Sequence, residues 1–107
     1  MFSVEIALKN LKEKKYITND KCLILGTGGA SRAVTMVLKN LGYVVRQVSR
    51  TAGDLRYDEL TKEIVEENGL IINATPIGMH PNINQKPDFP IKYLNPDHFV
   101  YDLIYNP

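Results

Sequence analysis

The chain has 107 residues, of which 44% are hydrophobic and 23% are charged, with a formal net charge of +1. This is the size of one domain, and the near-neutral charge excludes a strong general attraction to nucleic acid or to an anionic membrane. No apolar run approaches the ~20 residues of a membrane span, and a single cysteine excludes an internal disulfide. We therefore expect one cytoplasmic domain over residues 1–107, without nucleic-acid or membrane partners.

The first predicted elements are a helix and a buried strand. Ser3 can cap a helix with apolar residues at the spacing of one helical face, namely Val4, Ala7, Leu8 and Leu11. After a polar turn comes the apolar run Cys22–Leu25, which is typical of a strand buried on both faces of a parallel sheet. Within this run, we interpret Cys22 as a buried thiol and not as a nucleophile.

The motif GTGGAS joins that strand to an amphipathic helix. Gly26 and Gly28 fill the first two positions of the pattern G-x-G-x-x-G/A, and Ser31 fills the third. Gly26 permits a tight turn, Gly28 lets a pyrophosphate approach the backbone, and a helix that begins near Ala30 presents free N–H groups to it. The alternative is a glycine-rich turn that only packs helix on strand. We favour dinucleotide binding, because the motif lies between a strand and a helix.

Helix and strand patterns alternate through most of the remaining chain. The helix after the glycines ends at Gly42, and YVVRQVS predicts the second strand. A third helix is predicted from Asp58 to Gly69, followed by the strands LIIN and FVYDLIY. This alternation predicts a Rossmann-like, doubly wound α/β fold with four main parallel strands in the order 2-1-3-4 and helices on both faces. The expected core is Leu23, Ile24, Leu25, Val34, Val37, Leu38, Val45, Ile71, Ile72, Val100 and Leu103.

Two segments do not fit this alternation. Leu55–Tyr57 follows Arg50 too closely for a parallel crossover, so we expect an extended connector or a short antiparallel edge strand. The stretch Thr75–His98 is long and proline-rich, which is typical of a functional or mobile loop. The two histidines, His80 and His98, belong to no recognisable metal-ligand or nucleophile–base arrangement. We therefore expect no metal site and no covalent intermediate.

The end of the second strand bears on the choice of cofactor. A site for NAD has an Asp or Glu about 20 residues after the glycines, whereas this chain reads VSRT there. Arg50 offers a permanently charged planar group, and Ser49 and Thr51 offer hydroxyls, which together suit a 2′-phosphate. We favour NADP over the alternative of a solvated arginine at a strand end. The nearest acid, Asp54, would repel the phosphate if it pointed inward.

Four segments, taken together, resemble the shikimate dehydrogenase family over nearly the whole chain: GTGGASRAV, SRT, INATPIGM and YDLIYNP. Members of that family are oxidoreductases that reduce 3-dehydroshikimate to shikimate with NADPH in aromatic amino-acid (chorismate) biosynthesis. The resemblance implies a pyrophosphate loop formed by Gly26, Thr27, Gly28, Gly29 and Ala30. It implies a clamp on the 2′-phosphate formed by Ser49, Arg50 and Thr51. It also implies nicotinamide contacts at Thr75 and Leu103 and a substrate contact at Tyr105.

The same resemblance implies that this chain is a fragment. The family has an upstream domain that supplies the catalytic lysine and aspartate, and a tail after YNP. We therefore expect no catalytic residue here, and a chain that binds NADP without turning over by itself. Shikimate or 3-dehydroshikimate would be bound by the other domain. The second arginine that the family usually has in its clamp is replaced by Asp54.

Other interpretations stay open at this point. One is a dual-specificity quinate/shikimate dehydrogenase, and another is a nucleotide-binding module without a catalytic partner. A different two-domain oxidoreductase, such as a glutamyl-tRNA reductase or a methylene-tetrahydrofolate dehydrogenase, ranks third because it does not account for YDLIYNP. Finally, we expect two chains to pair through an exposed sheet edge at the strand that ends at Tyr105.

Overall fold

The computed structural model describes residues 9, 13, 19–50, 53–75 and 89–103. Lys9 and Glu13 are helical, and the rest of the first predicted helix lies outside the described residues. One sheet contains the strands β1 (Lys21–Leu25), β2 (Val44–Ser49), β3 (Leu55–Arg56), β4 (Leu70–Asn73) and β5 (Phe99–Asp102). The helices are α1 (Gly29–Asn40) and α2 (Lys62–Glu67), and single 3₁₀ turns span Tyr57–Glu59 and Ile91–Tyr93.

The sheet confirms the Rossmann-like α/β fold. Its order is β3-β2-β1-β4-β5, and every neighbouring pair is parallel. The predicted order of the four main strands is therefore confirmed, with β3 as an additional edge strand. After β1, the chain adds β2 and then β3 on one side of β1. It then crosses to the other side of β1, where it adds β4 and then β5. This creates a switch point between β1 and β4, and ligands of open α/β sheets bind beside such points.

The prediction for Leu55–Tyr57 was wrong, because Leu55 and Arg56 form a strand parallel to β2. A full crossover must carry the chain back along a whole strand, whereas β3 pairs only with Val48 and Ser49 at the end of β2. β3 therefore begins beside the end of β2 without a full crossover. Just before β3, Gly53 has a φ of 99°, and the Asp54 N–H donates to the Gln47 carbonyl over 2.9 Å.

The predicted start of the third helix was also wrong. Asp58 lies in the 3₁₀ turn, and α2 begins only at Lys62. Thr61 is the N-cap, since its Oγ1 accepts a hydrogen bond from the Ile64 N–H over 3.2 Å. A capping hydroxyl supplies an acceptor that the apolar spacing alone does not reveal.

The two helices cover opposite faces of the sheet. Residues alternate along each strand, so Cys22 and Ile24 pack with Val34 and Leu38 of α1. On the other face, Leu23 and Leu25 pack with a cluster that includes Val48, Leu60, Val65 of α2, Ile71 and Phe89. The arrangement is therefore doubly wound, and each face of the central strands is buried.

Most of the predicted core is confirmed, with four differences. Val37, Val45 and Leu103 are only partly buried. Val100 was wrongly placed in the core, because it lies on the edge strand β5 and is 37% exposed. Conversely, Ser31 is fully buried on α1 although no apolar pattern indicates it, and Tyr43, Tyr101 and Phe89 are buried aromatic residues beyond the predicted set.

We predict that Gly53→Ala destabilises the fold by about 1–3 kcal/mol, because a side chain at positive φ is strained. A Cβ at this position would also lie 3.0 Å from the Gln47 carbonyl oxygen. Urea unfolding measures the loss. Gly28→Ala is the matched control, since Gly28 has a φ of −75° and open space in front of it. Equal losses in both variants would contradict the role of Gly53.

Candidate functional site

Three loops meet at the carboxyl edge of the sheet, beside the switch point. The Gly26 N–H donates to the Val48 carbonyl over 2.7 Å, and the Ala74 N–H donates to the Leu25 carbonyl over 3.0 Å. The Leu103 N–H donates to the Asn73 carbonyl over 3.0 Å. These bonds continue the pairing beyond the ends of the strands. They hold the loop after β1 between the ends of β2 and β4.

Gly26 is required by the fold. Its φ is 107°, and a Cβ there would lie 3.3 Å from Thr75 Cγ2 and 3.4 Å from the Ala74 carbonyl oxygen. On the other side of the same loop, Thr27 Cγ2 lies 3.3 Å from the position that a Cβ on Gly53 would take. The glycine loop is thus in close contact with the loops after β4 and after β2.

In the part of the chain that the structure describes, no contact requires glycine at positions 28 and 29. Neither has a positive φ, and a Cβ on either would meet no described atom within 4 Å. Both residues are exposed, and they lie at the start of α1, just after the turn that follows β1. What glycine provides at these positions is access to the backbone from outside. This is the requirement of a bound group that approaches the main chain closely.

The N-terminus of α1 lacks a side-chain cap within the described part of the chain. Gly28 is the N-cap residue, and no acidic residue lies in the first turn. The Arg32 N–H donates to the Gly28 carbonyl over 3.0 Å and so begins the helical pattern. The earlier N–H groups of a helix have no intrahelical acceptor, and they attract an anion together with the helix dipole. The geometry therefore fits a phosphate group.

A buried hydroxyl fixes the shape of this loop. The Ser31 side chain is fully buried, and its Oγ donates to the Gly26 carbonyl over 2.6 Å. The same Oγ accepts a hydrogen bond from Gln47 Nε2 over 3.3 Å. Ser31 therefore ties α1 to the glycine loop and to β2. Gln47 was not among the predicted site residues, and a polar residue inside a β-branched strand is the signal that could have indicated it.

The loop after β4 has its own internal support. Asn73 is buried, and its Oδ1 accepts hydrogen bonds from the Thr75 N–H over 3.1 Å and from Thr75 Oγ1 over 2.6 Å. Asp102, at the end of β5, is opposite Asn73 in the register and is also buried. Thr75 and Leu103 thus lie at the same edge of the sheet as the glycine loop. Asp102 was missed because it lies within an otherwise apolar strand.

A cavity lies at the far side of β2 from the glycine loop. It has a volume of about 340 Å³ and is lined by Arg50, Arg56, Tyr57 and Asp58. Ser49 ends β2 directly before Arg50, and the two residues are at the predicted position of the clamp. Thr51 and Tyr105, which were predicted to bind the phosphate and the substrate, lie outside the described residues.

Asp54 is engaged within the fold. Its Oδ2 accepts a hydrogen bond from the Gln47 N–H over 2.9 Å, while its own N–H pairs with the Gln47 carbonyl. Asp54 therefore joins the start of β3 to the backbone of β2. This contact directs the carboxylate towards β2, and Asp54 does not line the cavity next to Arg50.

Other candidate groups lie away from this edge or are inert. Cys22 is buried, and burial raises the pKa of its thiol. A raised pKa disfavours the reactive thiolate, which agrees with the interpretation of Cys22 as a buried thiol and not a nucleophile. His98 precedes β5 at the opposite edge of the sheet, where its Nδ1 accepts from the Asn95 N–H and its Nε2 contacts the Val65 carbonyl over 2.7 Å.

Among the described residues, no cluster of three or more metal-binding side chains occurs, and no helix is long and apolar enough to cross a membrane.

The known proteins to which this chain is similar in sequence include several shikimate dehydrogenases. The chain is 37% identical to shikimate dehydrogenase (NADP(+)) of Methanococcus maripaludis strain C7, over 94% of this chain and 42% of that protein. It is 36% identical to the enzyme of the same name from Desulforamulus reducens, over 79% of this chain and 36% of the relative. The chain is a homologue of the shikimate dehydrogenases. This confirms the resemblance given by the four motifs, although no family model matches the chain.

Solved structures agree with the homology to shikimate dehydrogenases. The enzyme from Aquifex aeolicus superimposes with a TM-score of 0.71 at 29% identity, covering 94% of this chain and 41% of that one. A chorismate mutase/shikimate 5-dehydrogenase fusion protein from Clostridium acetobutylicum gives a TM-score of 0.57 at 26% identity, over 94% of this chain and 40% of the fusion protein. The chain therefore spans about two fifths of the length of the relatives that it matches.

We predict that Ser31→Ala lowers the free energy of unfolding by about 1–3 kcal/mol, because the Gly26 carbonyl and the Gln47 amide lose a buried partner. Thr35→Val is the matched control on the same helix. The Thr35 hydroxyl is buried and has no hydrogen-bond partner among the described residues, so its removal should cause no loss. Chemical denaturation compares the two variants. Wild-type stability in Ser31→Ala would show that the bond does not hold the loop.

Proposed function

We propose that this chain is the dinucleotide-binding domain of an NADP-dependent shikimate dehydrogenase, acting in the cytoplasm. The observation that carries the proposal is the position of Gly28 and Gly29 at the N-terminus of α1, which has no side-chain cap among the described residues. Within the same part of the chain, neither packing nor backbone conformation requires glycine there, and the space in front of them is open. A pyrophosphate that contacts the main chain accounts for both residues.

The pyrophosphate site consists of the loop from Gly26 to Ala30. Its N–H groups at the start of α1 would donate to the phosphate oxygens, and the positive end of the helix dipole would favour their charge. Ser31 and Gln47 act behind this loop by fixing the Gly26 carbonyl. The donors are therefore held in place before the cofactor arrives, which reduces the ordering that binding requires.

Selectivity for NADP is assigned to the end of β2. Ser49, Arg50 and Thr51 form the proposed contact with the 2′-phosphate, and no acid occupies the position that accepts from a ribose 2′-OH in NAD sites. The Arg50 guanidinium suits a phosphate because it is planar and permanently charged. The nearest acid, Asp54, is bonded to the backbone of β2.

The nicotinamide half is assigned to the other side of the switch point, next to Thr75 and Leu103. Asn73 orders the Thr75 loop, and the Leu103 N–H is bonded to the Asn73 carbonyl. When bound, NADPH would supply the hydride for reduction of a carbonyl. The residues of this chain orient the cofactor, and Tyr105 is proposed to reach towards 3-dehydroshikimate. We assign no proton donor to this chain, so the 107 residues should bind the cofactor without turning over shikimate.

The direct test is calorimetric titration of the chain with NADP⁺ and with NAD⁺ at low salt. We expect NADP⁺ to bind about tenfold more tightly, which corresponds to about 1.4 kcal/mol. Gly28→Ala should weaken the binding of both dinucleotides, because its methyl group occupies the phosphate approach. Its thermal stability should stay at or above that of the wild type, since glycine-to-alanine changes at compatible positions stabilise by about 0.4–1 kcal/mol.

Two outcomes of this titration would contradict the proposal. No binding of either dinucleotide to a folded chain would leave the glycine loop without a ligand. Unchanged binding in Gly28→Ala would place the cofactor elsewhere. Shikimate-dependent reduction of NADP⁺ by the same chain would contradict the assignment of its proton donor to another part of the enzyme.

We also propose that two chains pair through the β5 edge. Among the described strands, β5 is a terminal strand of the sheet, and Val100 on it is 37% exposed. An unpaired edge presents backbone donors and acceptors to a second strand. Light scattering over a dilution series should detect a dimer at high concentration. A monomer at every concentration would contradict this pairing.

A further inference from the structure

We propose that Asp102 is a positioning residue that fixes the nicotinamide side of the site through Asn73 and Thr75. The three side chains form a series of hydrogen bonds, which we call the Asp102 relay. This inference rests on the proposed dinucleotide-binding function. It adds to that function a residue that acts on the cofactor only through other residues.

Asp102 and Asn73 lie side by side on one face of the sheet. They are register partners at the ends of the neighbouring parallel strands β5 and β4. Tyr101 and Ile72, the residues directly before them, pack on the α1 side of the sheet. Because side chains alternate along a strand, Asp102 and Asn73 both project to the α2 side. A carboxylate and an amide are therefore neighbours across this strand pair, at the carboxyl edge of the sheet.

The burial of Asp102 indicates that its carboxylate is bonded within the protein. Asp102 is 7% exposed, whereas Val100, two residues earlier on the same strand and the same face, is 37% exposed. Hydrophobic packing alone would favour the opposite distribution. Aspartate is rarely buried unless it is paired, because its charge loses hydration. Asn73, which is 1% exposed, is the polar neighbour that the register provides.

The amide oxygen of Asn73 is already committed to Thr75. Asn73 Oδ1 accepts hydrogen bonds from the Thr75 N–H over 3.1 Å and from Thr75 Oγ1 over 2.6 Å. These bonds use both lone pairs of the amide oxygen, so a bond between Asn73 and Asp102 runs from Nδ2 to the carboxylate. A carboxylate only accepts, and it therefore holds the amide in this one orientation. Asp102 thereby keeps Asn73 Oδ1 turned towards Thr75.

Thr75 connects the relay to the site. The bond from its Oγ1 to Asn73 selects the side-chain rotamer, and Thr75 Cγ2 then lies 3.3 Å from the position that a Cβ on Gly26 would take. The Leu103 N–H, directly after Asp102, donates to the Asn73 carbonyl over 3.0 Å. Both residues that we assign to the nicotinamide half are thus attached to Asn73. Loss of the acceptor at Asp102 releases the Asn73 amide and, with it, the Thr75 rotamer.

The experiment separates the nicotinamide half of the ligand from the rest. Wild type and variants are titrated with NADP⁺ and with 2′,5′-ADP, which lacks the nicotinamide half. Asp102→Ala and Asp102→Leu both remove the acceptor but differ in volume, so the result does not depend on how well one of them packs. Asp102→Asn keeps an acceptor oxygen. Asp97→Leu is the matched control, because it removes an exposed aspartate from the turn before the same strand, at the opposite edge of the sheet. Circular dichroism verifies that each variant is folded.

We expect Asp102→Ala and Asp102→Leu to weaken NADP⁺ about tenfold, the effect of losing one hydrogen bond to a charged group, and to leave 2′,5′-ADP unchanged. Asp102→Asn should keep most of the affinity, since its amide oxygen still accepts from Asn73. In the chain without ligand, hydrogen exchange at the Thr75 N–H should be faster in Asp102→Ala and Asp102→Leu, because its acceptor is no longer held. Asp97→Leu should match the wild type in each measurement.

A double-mutant cycle tests whether Asp102 acts through Thr75. Thr75→Val removes the hydroxyl at the other end of the relay and keeps the shape of the side chain. Residues of one hydrogen-bond network show non-additive effects. The double variant Asp102→Ala/Thr75→Val should therefore bind NADP⁺ no more weakly than the weaker of the two single variants. Additive losses would overturn the inference, because the two residues would then act independently.

Two further results would overturn the inference. Equal losses for NADP⁺ and 2′,5′-ADP in Asp102→Ala would show that Asp102 supports the fold as a whole. Unchanged NADP⁺ binding in the same variant would show that Asp102 does not position the nicotinamide side, and the proposed function would still stand on the wild-type titration. If the wild type binds neither ligand, the proposed function and the inference both fall.

Discussion

The close approach of three loops at one edge of the sheet determines the rest of this structure. Gly26 turns at a φ of 107° within contact distance of Thr75 and Ala74, while its N–H is bonded to the Val48 carbonyl. Only a residue without Cβ allows this turn. The turn is short, and α1 begins at Gly29, with three residues between it and the end of β1. The first N–H groups of this helix, which have no intrahelical acceptor, therefore lie at the carboxyl edge of the sheet.

This constraint separates glycines that serve the fold from glycines that serve a ligand. Gly26 and Gly53 have positive φ values and close neighbours, so the architecture explains them. Gly28 and Gly29 have neither, and the proposed pyrophosphate explains them instead. The same division applies to the polar residues. Ser31, Gln47, Asn73 and Asp54 hold the loops in position through buried or backbone hydrogen bonds, whereas Arg50 and Arg56 face the cavity.

The sequence predicted the elements that carry strong local signals and missed those that depend on tertiary pairing. The β1–glycine–α1 unit and the order of the four main strands follow from continuous apolar runs and helical spacing. The strand β3 does not, since two residues carry no periodicity and their pairing depends on Gly53 and Asp54 acting together. Val100 was assigned to the core because its neighbours are apolar, although an edge position leaves it exposed.

The most direct test of this account is amide NMR mapping of the ¹⁵N-labelled chain during titration with NADP⁺. We predict that the largest shifts fall on Gly26 to Ala30, with further shifts at Arg50, Thr75 and Leu103. All of these residues are at the carboxyl edge of the sheet. The turn from Asn95 to His98, at the opposite edge, should be unaffected. Shifts confined to that opposite edge, or none at the glycine loop, would contradict the proposal that this edge is a dinucleotide site.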